Sequence, residues 1–331
     1  MRVLVTGGAG FIGSNLARTL VRSGHEVVIA DNLAAGLSLR LIEDLLGDLR
    51  FVHADVRSRA DLERLPPGPW DCVYHLAASF ANALSIEDPA LDASSNVNGT
   101  AEVLELARRA GCGLFVSAAS SSSYGDAPAP CREDGPMVPH TPYARTKLEG
   151  ERRVQSSGLA FASFRLFNVY GPGDTPGPHR NAIPNMMKAL DGDGALRVLG
   201  REATRDFTYV DDVVQVLVDA RRAEGQVVNV ATGLETPVLE LAVRILDLFD
   251  LPQRRLGIGD PRPWDRVVRR CASLERLRSL YGIPPATSLE QGLAATAGWL
   301  HDEGFIQRAP TPPRPANTRS PSELRAEGTV G

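Results

Sequence analysis

The sequence predicts an α/β chain: a doubly wound parallel sheet followed by a smaller, mixed α/β lobe. Three observations carry this. Short apolar runs alternate with amphipathic stretches through the first half, the order that strands and crossover helices take in a parallel sheet. A glycine-rich turn, Thr6-Gly7-Gly8-Ala9-Gly10-Phe11-Ile12-Gly13, separates the first apolar run from the first helical stretch. After Asn168 the chain turns to Gly171-Pro-Gly-Asp-Thr-Pro-Gly-Pro-His-Arg180, which can continue neither helix nor strand and leads into the second lobe.

The predicted strands are residues 2–6, 26–31, 50–53, 72–76, 113–117 and 161–166, short and mostly bounded by Gly, Asp or Ser. Their β-branched and aromatic content suits a pleated, buried surface. Helical patterns fall near 12–23, 39–46, 92–110 and 143–156. In the second lobe, helical segments near 182–190, 211–223, 238–249, 273–281 and 288–302 alternate with short strands such as 227–230. From about Gln307 the composition shifts to Pro, Arg, Thr, Ser and Ala, with little to bury, so a flexible tail is expected. The expected division is a cofactor domain over 1–172, rejoined at 206–233, a substrate lobe over 173–205 and 234–305, and a tail over 306–331.

With 331 residues, 43% hydrophobic and 23% charged, the chain can bury an ample core. A net charge of -4 without any Lys/Arg block argues against a nucleic-acid surface. No apolar stretch approaches the ~20 residues of a membrane span, and Met1-Arg2 leads straight into Val3-Leu4-Val5, so a cytoplasmic protein is expected. Cys72, Cys112, Cys131 and Cys271 are scattered without a metal-ligand spacing, so neither a metal site nor a disulfide framework is expected. His75 reads as a strand end with a core role.

The glycine turn has the strand-turn-helix context of a dinucleotide fingerprint, the mark of a Rossmann-type sheet. Glycines there permit positive φ and close approach to a pyrophosphate, and the helix N-terminus favours negative charge. Asp31 ends the second predicted strand, where a carboxylate accepts from an adenosine ribose and repels a 2'-phosphate; NAD is therefore expected over NADP. Asp55-Val56, after the third strand, is a weaker candidate for the adenine edge. Tyr143 and Lys147 lie four residues apart in a helical pattern and share a face. A cation about 4 Å from the phenol, at an effective dielectric of ~20, is worth roughly 4 kcal/mol and lowers the pKa by about three. That expectation makes Tyr143 a base near neutrality.

In these motifs the chain resembles the extended short-chain dehydrogenase/reductase family, in its NAD-dependent nucleotide-sugar epimerase/dehydratase branch. The resemblance runs from Met1 to about Phe305. It includes the glycine turn, Asp31-Asn32-Leu33, His75-Leu76-Ala77-Ala78, Asn96-Val-Asn-Gly-Thr100, Ser120 to Gly125, Tyr143-x-x-x-Lys147, Arg165 to Pro172, Arg205 to Asp212 and Arg262-Pro-Trp-Asp265. It implies NAD contacts from Gly7, Gly10, Phe11, Ile12, Gly13, Asp31, Asn32, Asp55, Val56, Leu76, Ala77, Ala78, Tyr143 and Lys147. It implies catalysis by Tyr143, which takes a proton from a sugar hydroxyl, with Lys147 on the nicotinamide ribose and Ser120 on the reacting oxygen.

Related dehydratases and decarboxylases carry carboxylic acids at the positions of Ser121 and Ser122. Hydroxyls there cannot do that work, so the resemblance implies a 4-epimerase passing through a 4-keto sugar. Ser121, Ser122, Asn168, Asn185, Arg205, Arg262 and Arg269 are the implied substrate contacts: Arg205 and Arg262 for the diphosphate of a nucleotide sugar, expected to be UDP-linked, and Arg269 for a sugar carboxylate. Trp264 and Ala272 depart from the family pattern and are expected to alter the substrate pocket. A nucleotide-sugar ketoreductase is the alternative, and a non-catalytic dinucleotide sensor a remoter one. Helices near 92–110 and 143–157 are the implied homodimer face, although Val103, Leu104, Leu106 and Ala107 suit the core equally.

Overall fold

The computed structural model describes residues 1–36, 39–282 and 287–311. Its centre is a seven-stranded, wholly parallel sheet. In chain order the first six strands are β1 (Arg2–Thr6), β2 (Glu26–Asp31), β3 (Arg50–His53), β4 (Cys72–His75), β5 (Phe115–Ser120) and β6 (Phe161–Leu166). The spatial order is Gln226–Val230, β6, β5, β4, β1, β2, β3, so the direction of winding reverses between β1 and β4. That reversal opens a crevice beyond the carboxyl ends of the strands.

Alternation along each strand feeds two cores. Val3, Val5, Val27 and Ile29 pack on one face with Leu16 and Leu20 of helix α1 (Phe11–Arg22) and with Val213 and Leu217. Leu4, Val28, Val73 and Phe115 pack on the other with Val103, Leu104 and Ala107 of the helix Thr100–Arg109. Those three residues thus serve the sheet-facing core. A further core gathers Tyr170, Met187, Leu190, Val198, Leu241, Ile245 and Leu300. Beside it lies a small sheet in the order Thr236–Pro237, Thr204–Arg205, Arg269–Arg270.

Several predicted elements shift. The expected helix at 39–46 is a 3-10 segment, Arg40–Leu45. The long helix expected over 92–110 is broken into Pro89–Ala93, a wide π turn over Ser94–Gly99, and Thr100–Arg109; periodicity cannot reveal such a break. The fifth strand runs to Ser120 rather than 117, which brings that hydroxyl to the crevice. Residues 306–311, expected to open the tail, are instead docked. Ile306 is buried in the core formed around Tyr170, Met187 and Leu241, the Gln307 and Arg308 amides donate to Asp191, and the Thr311 amide donates to the Leu248 carbonyl. The tail residues 312–331 lie outside the described residues.

Beneath the crevice, Arg165 and Glu151 form a buried bidentate pair at 2.6 and 2.8 Å. Arg165 also donates to the Tyr124 hydroxyl at 2.9 Å, which donates to Asn229 at 2.7 Å. Removing the carboxylate strands a buried guanidinium. Glu151→Ala is therefore expected to cost roughly 3–5 kcal/mol in urea unfolding. Replacing both partners by apolar side chains of similar volume should recover most of it, and an unchanged midpoint for the single variant would contradict this account.

Candidate active site

Gly7, at φ +72°, lies so close to β4 that a Cβ would sit 2.6 Å from the Ala77 amide nitrogen, and a Cβ on Gly13 would sit 2.1 Å from the Gly7 carbonyl. Only bare backbone fits. Helix α1 starts without a side-chain cap and without an acidic residue in its first turn, so its open amides present partial positive charge to the crevice. The turn fits a pyrophosphate on those grounds. The Asp31 carboxylate accepts from the Ala9 amide at 3.0 Å and the Leu33 amide at 2.8 Å, which fixes it at the tip of β2. Burial raises its pKa against the pull of the two amides. Lone pairs remain for a ribose.

A single cleft of about 1180 Å³ begins at this turn and extends to the small sheet. It is lined by Gly7, Gly10, Phe11, Ile12, Gly13, Asp31, Asn32, Asp55, Val56, Leu76, Ala77 and Ala78, then by Ser120, Ser121, Ser122, Tyr143, Lys147 and Asn168, and finally by Asn185, Arg205, Arg262 and Trp264. Positions scattered over more than 250 residues of sequence therefore share one cavity.

Two of these side chains are already engaged. Asp55 is held by Arg57 through a fork at 2.6–3.1 Å and by the Asn32 amide at 3.0 Å, and Arg57 keeps its pKa far below the carboxylate range. Asn185 spends its amide on the loop at 177–181, accepting from the Gly177 amide and donating to the carbonyls of Gly177, Arg180 and Asn181.

The helix Pro142–Gln155 is started by Thr141, whose hydroxyl accepts from the Ala144 amide at 3.2 Å, and Pro142 occupies a position where no amide is needed. It delivers Tyr143 and Lys147 to the mouth of β5. The expectation that Lys147 depresses the phenol is corrected here. Lys147 Nζ donates to the Ala118 carbonyl at 2.7 Å, and it is burial that dominates Tyr143, raising its pKa; a hydrogen bond with Ser120 and the charge of Arg270 pull it down, while Asp92 pushes it up. Burial also brings Lys147 down to about 8 despite Asp92 and Glu151.

Arg269 is a second correction. Along a strand, successive side chains point to opposite faces. Arg269 faces out and forms a fork with Glu235 at 2.7 and 2.8 Å, whereas Arg270 is buried and lines the cleft. Ala272 lies in the core and not on the cleft, and its amide donates to Asp206; Trp264 does line it, under the Arg262 guanidinium at 5.3 Å. Arg205 contacts Asp265 at 3.2 Å.

Sequence reasoning also missed Asp92 and Arg270. Asp92 is fully buried, accepts from Thr146 and from Asn96, and reaches Tyr143 through its charge. The spacing Asp92-x-x-x-Asn96 was the only available signal. Among the described residues no cluster of His, Cys, Asp and Glu can hold a metal, and no helix is long and apolar enough to cross a membrane.

The comparisons agree with this geometry. The chain is 34% identical over 313 residues to a UDP-glucose 4-epimerase of Mycolicibacterium smegmatis, covering 92% of this chain and 99% of that one. An epimerase structure from Methanothermobacter thermautotrophicus superposes with a TM-score of 0.84 at 35% identity, covering 91% and 92% of the two chains. A UDP-glucose 4-epimerase of Thermotoga maritima, solved with UDP-glucose, gives 0.83 at 29% identity, covering 92% and 99%. The chain belongs to the NAD dependent epimerase/dehydratase family, whose profile matches residues 3–231.

Asp174, on the loop that packs against α1 and lines the cleft, supplies a test by pH. It is buried and accepts from the Asn181 amide at 3.0 Å, and burial raises its carboxyl from 3.8 to about 7. A raised acid opposes folding once ionised: the penalty is absent below about 4, grows with pH and is complete above about 7. Asp174→Asn should therefore gain stability relative to the parent between pH 5 and pH 8, by roughly 2 kcal/mol. Equal differences in melting temperature at the two pH values would refute the assignment.

Proposed function

We propose, starting from that membership, that the chain is a NAD-dependent 4-epimerase of a UDP-linked sugar. The observation that carries this is the company Tyr143 keeps: Ser120 beside its phenol, Lys147 one turn along the same helix, and, among the described residues, no carboxylic acid in the cleft without a hydrogen-bond or ion-pair partner. Dehydration and decarboxylation each call for a further acid or base beside the ketone. Here hydroxyls, Ser121 and Ser122, follow Ser120 along the lining, while Asp31 is held by amides, Asp55 by Arg57, Asp174 by Asn181 and Asp265 by Arg205. A ketone formed at C4 then has one outlet, reduction from either face.

NAD, when bound, supplies a reversible acceptor for the hydrogen on C4. Gly7, Gly10, Phe11, Ile12 and Gly13 would hold its pyrophosphate, Asp31 and Asn32 its adenosine ribose, Asp55 and Val56 its adenine edge, and Leu76, Ala77 and Ala78 one wall. Lys147 would serve the second ribose. Tyr143 takes the proton from the sugar O4 as the ketone forms and returns it as the alcohol is restored. Ser120 orients the same oxygen. Asn168, Arg205 and Arg262 would anchor the phosphates, leaving the sugar free to present either face.

A division into a cofactor unit, 1–172 with 206–233, and a substrate unit, 173–205 with 234–305, goes with this reading. So do a cytoplasmic location and a homodimer through the helices Thr100–Arg109 and Pro142–Gln155; light scattering should return twice the chain mass.

The direct test is proton NMR of the protein with UDP-glucose, UDP-N-acetylglucosamine and UDP-glucuronate, separately, with catalytic NAD and no reductant. One of them should yield its C4 epimer. Strict consumption of reduced cofactor instead would favour the ketoreductase. Tyr143→Phe should lower kcat by at least ~10³, and Ser120→Ala by about 10². Because the Ser120 bond lowers the phenol's pKa, its loss should also move the rising limb of the pH–kcat profile to higher pH; a limb that stays in place would exclude that role.

A further inference from the structure

Arg270 is a buried cation that the mechanism does not use. It is only 9% exposed, its Nε is inaccessible and unbonded, and among the described residues its guanidinium enters no hydrogen bond or ion pair. Arg205, paired with it across the small sheet, has Asp265; the exposed Arg269 has Glu235. Arg270 feels Asp265 and Asp126 only at a distance, and burial together with the Arg205 charge lowers its pKa to about 10. A desolvated, unpaired guanidinium is costly, and the cost is relieved when an anion arrives with matching geometry. Since Arg270 lines the cleft, the anion has a route to it.

The position within the cleft says which part of a ligand this is. Of the guanidiniums that line the cleft, Arg270 is the one whose charge acts on the Tyr143 phenol. Arg262 lies over Trp264. Phe207 and Val267, which line the same cleft, are apolar. We propose that Arg270 receives an anionic group borne by the sugar itself, so that the preferred substrate is a UDP-linked sugar acid. This deepens the epimerase reading and rests on it.

Binding separates the two. In a Tyr143→Phe background, where no turnover is needed, calorimetry with UDP-glucuronate, UDP-glucose and UDP should show the sugar acid binding at least tenfold tighter than UDP-glucose. Adding Arg270→Met should weaken UDP-glucuronate roughly a hundredfold more than UDP-glucose, the scale of a hydrogen-bonded charge, and Arg270→Lys should restore part of the difference. A parallel loss for all three ligands would assign Arg270 to the diphosphate and overturn the proposal. So would equal affinities for the two sugars in the Arg270 protein, a comparison that needs no substitution at that position and stands even if Arg270→Met fails to fold. A binding preference without any epimer in the NMR assay would sink the epimerase reading instead.

Discussion

Much of this structure hangs on one buried ring. His75, at the end of β4, exchanges hydrogen bonds with Thr6 of β1 at 2.8 Å and with Thr100 at 3.0 Å, and burial brings its pKa down to about 3, so it stays neutral. Thr100 in turn donates to the Asn96 carbonyl, and the Asn96 amide donates to the Ser79 carbonyl, Asp92 and Thr146. A continuous polar chain thus runs from the glycine turn, under the sheet edge, to the helix that bears Tyr143. In a dry interior an unpaired member of such a chain costs more than the bond is worth. The glycine turn and the helix that bears Tyr143 and Lys147 are for that reason set relative to one another by satisfied bonds rather than by packing alone.

The wide turn at Ser94–Gly99 belongs to the same arrangement. Asp92, Asn96 and Thr100 lie in or beside it and reach Thr146 of Tyr143's helix and His75. Gly99 sits against Val56 and Gly150 against the Asn96 carbonyl, with no room for a side chain at either. Close approach, not flexibility, explains both glycines.

The legible part of the sequence was what local chemistry dictates. Strand composition and the glycine turn gave β1, β2 and α1 nearly to the residue, and Asp31, Tyr143 and Lys147, singled out by type and spacing, all line the one cleft. What could not be read depends on tertiary placement. Spacing placed Lys147 near Tyr143 but could not say that its ammonium would be taken by the Ala118 carbonyl, or that burial would outweigh any cation. The choice between Arg269 and Arg270 is one step of strand register, and one step reverses the face. The docking of residues 306–311 depends on a core and on Asp191, neither of which the tail's own composition signals.

Asp206 accepts from the amides of Thr232, Gly233 and Ala272 and from the Thr232 hydroxyl, so three passages of the chain between the sheet and the second core meet at one carboxylate. The strands carrying Arg205 and Arg270 leave directly from that knot. Their positions are therefore settled when the chain folds, and the loss of conformational entropy that ordering them entails has already been met before any ligand arrives. An anion entering the cleft would meet cations already in place, and ordering them would take nothing further from its affinity.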